Sequence, residues 1–158
     1  MKASLKKGLS YGITSGVITS LGLLIGLFST TNSKTIILVG LLTIAFADAL
    51  SDGLGIHVSE ESENCYSPRN IWEATLATVF AKMTLGLSFV IPILFLPLGI
   101  AICVDFAWGL LVLILLSYKI AKQNKEKISS VIFEHTALAI FVIVGSFIIG
   151  KIISFYIK

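Results

Sequence analysis

The chain has 158 residues, of which 56% are hydrophobic and only 13% are charged. A water-soluble domain of this length would need a larger charged surface, and the charges lie between apolar runs of roughly 20 residues, the length that crosses a hydrocarbon core of ~30 Å as a helix. We therefore expect one domain, an all-α multi-pass membrane protein embedded in a lipid bilayer. The net charge of +3 does not indicate a nucleic-acid partner, because the basic residues lie at the ends of the apolar runs.

Five membrane spans are predicted, joined by mostly short connections. Pro92 and Pro97 predict an irregular end to the third span, because proline removes a backbone donor. The first span has no cleavage site after it, so we expect no cleavable signal peptide. Cys65 lies in a polar loop and Cys103 in an apolar span, which does not favour a disulfide. The predicted spans cover about residues 8–30, 35–57, 71–96, 99–118 and 131–156.

The distribution of lysine and arginine predicts the orientation, because cytoplasmic connections carry an excess of basic residues. The N-terminus is expected in the cytoplasm and the C-terminus outside, in the cell membrane. On the opposite side of the membrane the basic residues are fewer: Lys34 and Lys158, with Lys151 near the end of the fifth span. The basic residues of the predicted cytoplasmic side are Lys2, Lys6, Lys7, Arg69, Lys119, Lys122, Lys125 and Lys127.

The first span has a small residue at every fourth position. This spacing lets two helix backbones approach closely inside a membrane. Two interpretations stay open: packing against another helix of the same chain, and a homodimer interface along the first helix. The small residues are Ser4, Gly8, Gly12, Gly16 and Ser20.

The second span contains "AFADALSDGLGIHVSEESE" (45–63), with Asp48 and Asp52 one helical turn apart. At about 100° per residue, both aspartates share one stripe of about 60° with Glu63, running from mid-membrane to the cytoplasmic surface. Neighbouring carboxylates at this spacing can hold a divalent cation through oxygen ligands. Ser51 and Ser15 would add neutral oxygens. The acidic residues that would attract the cation at the entrance are Glu60, Glu61 and Glu63.

Structural interpretations of the same residues also remain. Asp48 could bond to a hydroxyl of the first span or pair with Lys82 of the third, and either pairing would leave Asp52 alone and neutral. We favour an ion or proton pathway, because the polar stripe is continuous. Asp105 and Glu134 lie near span ends, where we expect snorkelling or capping residues, with proton sites as the alternative.

Other polar residues carry weaker signals. His57 points away from Asp48 on the helical wheel, and Cys65 is a possible soft ligand in the loop. The sequence has no nucleophile–base pair, no phosphate-binding loop and no HExxH motif. We therefore expect neither an enzyme nor a cofactor.

The motifs "GITSGVITSLGLLIGL" and "AFADALSDGLGIHVSEESE" resemble the first two helices of the vacuolar iron transporter family. "IWEATLATVFAKMTLGLSFVIPILFLPL" is similar to its third helix and "AIFVIVGSFIIGKII" to its last. The resemblance implies a five-helix dimer that exports ferrous iron, and often manganese, from the cytosol, in many members by proton antiport. The family positions matched are Ala47, Asp48, Ser51, Gly55, Ser59, Ser62 and Glu63.

The chain also departs from the family pattern. Ser15 replaces the usual acidic residue before Gly16, Asp52 replaces the methionine after serine, and Ile56 replaces the glutamate after Gly55. The family's cytoplasmic metal-binding insert is missing. An all-oxygen site favours harder cations such as Mn²⁺, Mg²⁺ or Ca²⁺.

These observations lead us to expect a homodimeric transporter that exports a divalent metal cation from the cytoplasm. Two alternatives belong to other classes. One is a proton-coupled carrier of a small organic solute. The other is a non-transporting membrane scaffold in which Asp48 and Lys82 form a buried pair.

Overall fold

The computed structural model describes residues 2–63 and 67–157, so Cys65 lies outside the described residues. Within these ranges the regular secondary structure is entirely helical. Five helical segments are long and apolar enough to cross a membrane, which confirms the five predicted spans. The helices are α1 (Ala3–Thr31), α2 (Lys34–Ser62), α3 (Pro68–Ser88), α4 (Val90–Phe95), α5 (Leu98–Asn124) and α6 (Ile128–Tyr156), with α3 and α4 forming one interrupted span.

The helices extend beyond the predicted spans, mainly at the end of the bundle that carries the N-terminus. Hydropathy marks only the part of a helix that contacts lipid, whereas backbone hydrogen bonding continues into the aqueous phase. The second helix continues past its apolar part and ends only at Ser62. Helices α1 and α5 are each followed by a C-cap residue in the left-handed backbone conformation, Asn32 (φ 49°) and Lys125 (φ 58°).

The break between α3 and α4 has its cause in Pro92, which has no N–H to donate to the carbonyl of Ser88. The helix is interrupted at Phe89, whose N–H instead donates to the carbonyl of Gly86 at 3.2 Å. The Ser88 hydroxyl donates to the carbonyl of Leu85 at 2.6 Å. The predicted irregularity is confirmed, and it begins one turn before the proline.

Helix α1 lies at the centre of the bundle and contacts α2, α3, α5 and α6. Its small-residue face packs against α3: a Cβ built on Gly12 would lie 2.6 Å from the carbonyl oxygen of Thr78, and one on Gly8 would clash with the carbonyl of Ala74. The Thr78 hydroxyl also donates to the carbonyl of Gly8. The interpretation of packing within one chain is therefore confirmed for this face. A homodimer interface along the first helix stays a prediction, and it would have to use another face of α1, since α3 covers the one that carries Gly8, Gly12 and Gly16.

Candidate functional site

Four side chains from three helices meet inside the bundle. The Lys82 Nζ of α3 lies 2.6 Å from Asp48 Oδ2 and 2.5 Å from Asp52 Oδ2, both on α2. The same nitrogen donates to the Ser15 hydroxyl of α1 at 2.9 Å, and that hydroxyl donates to Asp52 Oδ2 at 2.6 Å. We call Ser15, Asp48, Asp52 and Lys82 the Lys82 cluster.

The local sequence explains how these side chains reach one point. Asp48 and Asp52 are four residues apart and so project from one face of α2. Gly16 of α1 lies against Lys82, where an added Cβ would be 3.4 Å from both Cα and Cγ of the lysine. The long lysine stem then carries the ammonium from α3 across to α2.

The ammonium of Lys82 donates hydrogen bonds to Ser15 and Asp52 and forms an ion pair with Asp48. An ammonium has three donors, and here they face three oxygens, from Asp48, Asp52 and Ser15. The Lys82 side chain is 2% exposed, whereas that of Asp52 is 18% exposed and that of Asp48 33%. The prediction that a Lys82 pair would leave Asp52 alone is wrong, because one ammonium lies between both carboxylates.

The cluster has more negative than positive charge when all three ionisable groups are charged. Two carboxylates and one ammonium leave an excess of one negative charge. Charged groups at this depth are costly and are retained mostly at functional sites. Chemically, the cluster is a cation site of oxygen ligands that already holds a cation, the ammonium of Lys82.

A groove of about 930 Å³ opens beside the cluster, between α1, α2 and α6. We call it the α1–α2–α6 groove. Asp48 and the exposed Ser51 line it on α2, so Asp48 belongs both to the cluster and to the groove. The rest of its wall consists mainly of apolar and small residues, among them Gly26 of α1 and Val142 of α6.

The glutamates of α2 do not continue the cluster as one uniform stripe. Glu60 is 1% exposed and forms an ion pair with Lys7 of α1. Glu63 Oε1 lies 3.9 Å from the same lysine nitrogen, and Glu61 is exposed. At a rise of 1.5 Å per residue, these glutamates lie about 12 to 17 Å beyond Asp52 along α2. Of the predicted entrance residues, Glu61 and Glu63 present carboxylates to solvent, whereas Glu60 is buried.

Asp105 differs from the expectation of a snorkelling or capping residue. Its side chain is 0% exposed, and among the described residues neither carboxylate oxygen has a hydrogen-bond partner. The sequence signal for this burial is the strict four-residue spacing of residues along one face of α5. The buried face of α5 consists of Ala101, Asp105, Gly109, Leu113, Ser117 and Ala121, with Ile102 beside it.

Glu134, by contrast, is exposed near the start of α6.

Both histidines lie outside the Lys82 cluster. His57 Nδ1 is 3.1 Å from the Thr75 hydroxyl, and its ring stands edge-on to Trp72 with centroids 4.7 Å apart. His135 Nδ1 lies 2.8 Å from the Ser117 hydroxyl. The prediction that His57 is separate from Asp48 is confirmed.

The described ranges contain no group of three or more His, Cys, Asp or Glu side chains close enough to share a metal ion. A metal at the Lys82 cluster would therefore be held by two carboxylates and by neutral oxygens. No protein-family model matches the chain, and no curated protein matches it either. The resemblance to the vacuolar iron transporter family stays a prediction.

Proposed function

We propose that the protein is a membrane transporter for a divalent metal cation, with Asp48 and Asp52 as its ligands and Lys82 as a resident countercharge. The observation that carries the proposal is the position of the Lys82 ammonium, which three oxygens hold between the two carboxylates inside the bundle. These oxygens are hard ligands of the kind that Mn²⁺, Mg²⁺ and Ca²⁺ prefer.

The excess carboxylate favours a functional site over a structural ion pair. One lysine needs one carboxylate for neutrality, and a second charged carboxylate inside a bilayer costs free energy. Two carboxylates match the charge of a divalent cation. The cluster therefore balances a divalent cation better than it balances its own lysine.

The route by which a cation would reach the Lys82 cluster follows from the exposure of the two aspartates. Asp48 is the more exposed of the two aspartates and lines the α1–α2–α6 groove, where Ser51 adds a neutral oxygen. A cation arriving there meets Asp48 first and reaches Asp52 and Ser15 when the Lys82 ammonium moves away. Cation and ammonium thus compete for the same oxygens.

The direction of transport rests on the predicted orientation, with the N-terminus in the cytoplasm. Glu61 and Glu63 then lie on the cytoplasmic side and attract cations, which favours export. Asp105 and Glu134 are the remaining candidates for proton coupling. A homodimer remains part of the proposal, but a second copy would have to use a surface other than the small-residue face of α1.

Reconstitution into proteoliposomes tests the proposal. We expect saturable flux of at least one of Mn²⁺, Fe²⁺, Mg²⁺ and Ca²⁺, measured with and without a pH gradient. Asp48→Asn combined with Asp52→Asn should abolish the flux, whereas the control Glu126→Gln, an exposed loop carboxylate, should leave it unchanged. Absence of flux for the whole panel, or undiminished flux in the double variant, would contradict the proposal.

The contacts of Lys82 with Ser15, Asp48 and Asp52 also favour a second candidate, a non-transporting scaffold held together by this cluster. A scaffold requires stability from the cluster and no ion movement. Two results together would favour the scaffold. Removing the charges of Asp48 and Asp52 would change the unfolding free energy, and the wild-type protein would show no measurable cation flux.

A further inference from the structure

We propose that the α1–α2–α6 groove binds an amphipathic organic cation, with its charged group against Asp48 and its apolar body between α1, α2 and α6. The groove is largely open along one side, and its volume of about 930 Å³ lies at the upper end of the roughly 300–1,000 Å³ that ligand sites occupy. Such sites are mostly apolar and have a few polar groups that orient the ligand. The groove has this composition.

The charge at the groove is negative because of the difference in exposure between Asp48 and Lys82. Asp48 is 33% exposed and lines the groove, whereas Lys82 is 2% exposed and lies behind it. A ligand in the groove therefore meets a carboxylate and not the ammonium that partly neutralises it. The excess negative charge of the Lys82 cluster complements a single positive charge.

The hydroxyl groups of α1 that line the groove, those of Thr19 and Thr30, do not need a hydrogen-bond acceptor on the ligand. The Thr19 hydroxyl donates to the carbonyl of Ser15 at 2.9 Å, and the Thr30 hydroxyl donates to the carbonyl of Gly26 at 2.7 Å. The Thr30 hydroxyl also donates to the carbonyl of Gly150 on α6 at 3.3 Å, so the donor capacity of both hydroxyls is used within the protein. The wall beyond Asp48 and Ser51 thus suits an apolar ligand body.

Two glycines of α1, Gly22 and Gly26, line the groove where α1 meets α6. A Cβ on Gly22 would lie 3.0 Å from Val142 Cγ1, whereas one on Gly26 would lie 3.6 Å from the Ser146 carbonyl oxygen, an ordinary contact. At both glycines α6 therefore packs on α1, and these residues form one wall of the groove. An amphipathic cation dissolves in the bilayer and can enter the groove laterally.

Equilibrium binding of tetraphenylphosphonium to the purified full-length chain tests the proposal. Tetraphenylborate, which has the same shape and the opposite charge, is the matched ligand control. We expect saturable binding of the cation and at least roughly tenfold weaker binding of the anion, because only the cation complements the carboxylate. Asp48→Asn should weaken cation binding by a similar factor. No metal is added, so the result is independent of whether the protein transports metal ions.

A second pair of variants covers the case in which Asp48→Asn fails to fold. Ala47→Leu adds bulk to the groove wall, whereas Ala107→Leu makes the same change at an exposed position of α5 that does not line the groove. We expect weaker binding only in Ala47→Leu. Equal binding of both ions would overturn the proposal in favour of an apolar surface for lipid chains. A change of oligomeric state in Ala47→Leu without a change in cation binding would overturn it in favour of a second copy of the chain.

Discussion

Gly16 of α1 lies directly against Lys82 of α3: a Cβ added to the glycine would be 3.4 Å from both Cα and Cγ of the lysine. The small-residue face of α1 and the aspartates of α2 are separate patterns in the sequence, and this contact joins them. Because α3 packs closely on the glycines, its lysine can reach across to Asp48 and Asp52. Helix packing and the polar cluster thus depend on the same close approach.

The first prediction concerns this close approach. Gly12→Ala should destabilise the protein by about 1–3 kcal/mol, because the added Cβ would meet the backbone carbonyl of Thr78 at 2.6 Å. Gly145→Ala is the control, since nothing lies within 4 Å of its added Cβ. Alanine favours a helix over glycine by about 0.5–1 kcal/mol, so the control should be neutral or stabilising. Thermal unfolding in detergent measures both, and equal melting temperatures would contradict the intrachain packing.

A second prediction tests the charge balance of the Lys82 cluster. Lys82→Met leaves two carboxylates without their shared ammonium and should cost about 3–5 kcal/mol of unfolding free energy. Adding Asp52→Leu should recover most of this loss, because Asp48 is the more exposed carboxylate and can be solvated. Unfolding curves of the single and double variants measure the coupling. A Lys82→Met protein as stable as the wild type would contradict the ion pairing.

The third prediction separates the glutamates of α2. Lys7→Met leaves the buried Glu60 without its ion-pair partner, so we expect a loss of about 3–5 kcal/mol. Glu61→Gln changes an exposed carboxylate one residue further on and should leave the unfolding free energy unchanged within about 0.5 kcal/mol. If both variants unfold alike, Glu60 does not depend on Lys7.

The fourth prediction concerns the buried carboxyl group of Asp105. Asp105→Ala should raise the unfolding free energy by about 1–3 kcal/mol, because it removes a buried polar group without a hydrogen-bond partner in the described chain. Leu113→Ala, on the same buried face of α5, should lower it by about 2–5 kcal/mol. The two substitutions are expected to have opposite signs. Destabilisation by Asp105→Ala would show that Asp105 makes a favourable interaction. Cation flux of Asp105→Ala then tests its role in proton coupling.

Much of the architecture was predictable because hydropathy and proline act locally. Five apolar runs predicted five spans, and Pro92 predicted the break in the third. The partner of the small-residue face was not predictable, because the spacing of Gly8, Gly12 and Gly16 describes one helix and leaves its neighbour open.

The candidate site was predicted only in part for a similar reason. The spacing of Asp48 and Asp52 predicted that both lie on one face of α2. Whether the Lys82 ammonium reaches both of them depends on how α3 packs against α1 and α2. A helical wheel of α2 alone could not show that Glu60 turns toward Lys7 of α1. The wheel gives an angle on one helix, whereas burial depends on its neighbours.

Binding of Mn²⁺ to the Lys82→Met chain, compared with the wild type by equilibrium titration, tests the central claim most directly. If a divalent cation and the Lys82 ammonium compete for the oxygens of Asp48 and Asp52, removing the ammonium should tighten Mn²⁺ binding by at least about tenfold, the equivalent of about 1.4 kcal/mol. Asp48→Asn should abolish the binding in both backgrounds. Unchanged affinity in Lys82→Met, or Mn²⁺ binding that survives Asp48→Asn, would contradict a cation site at these two aspartates.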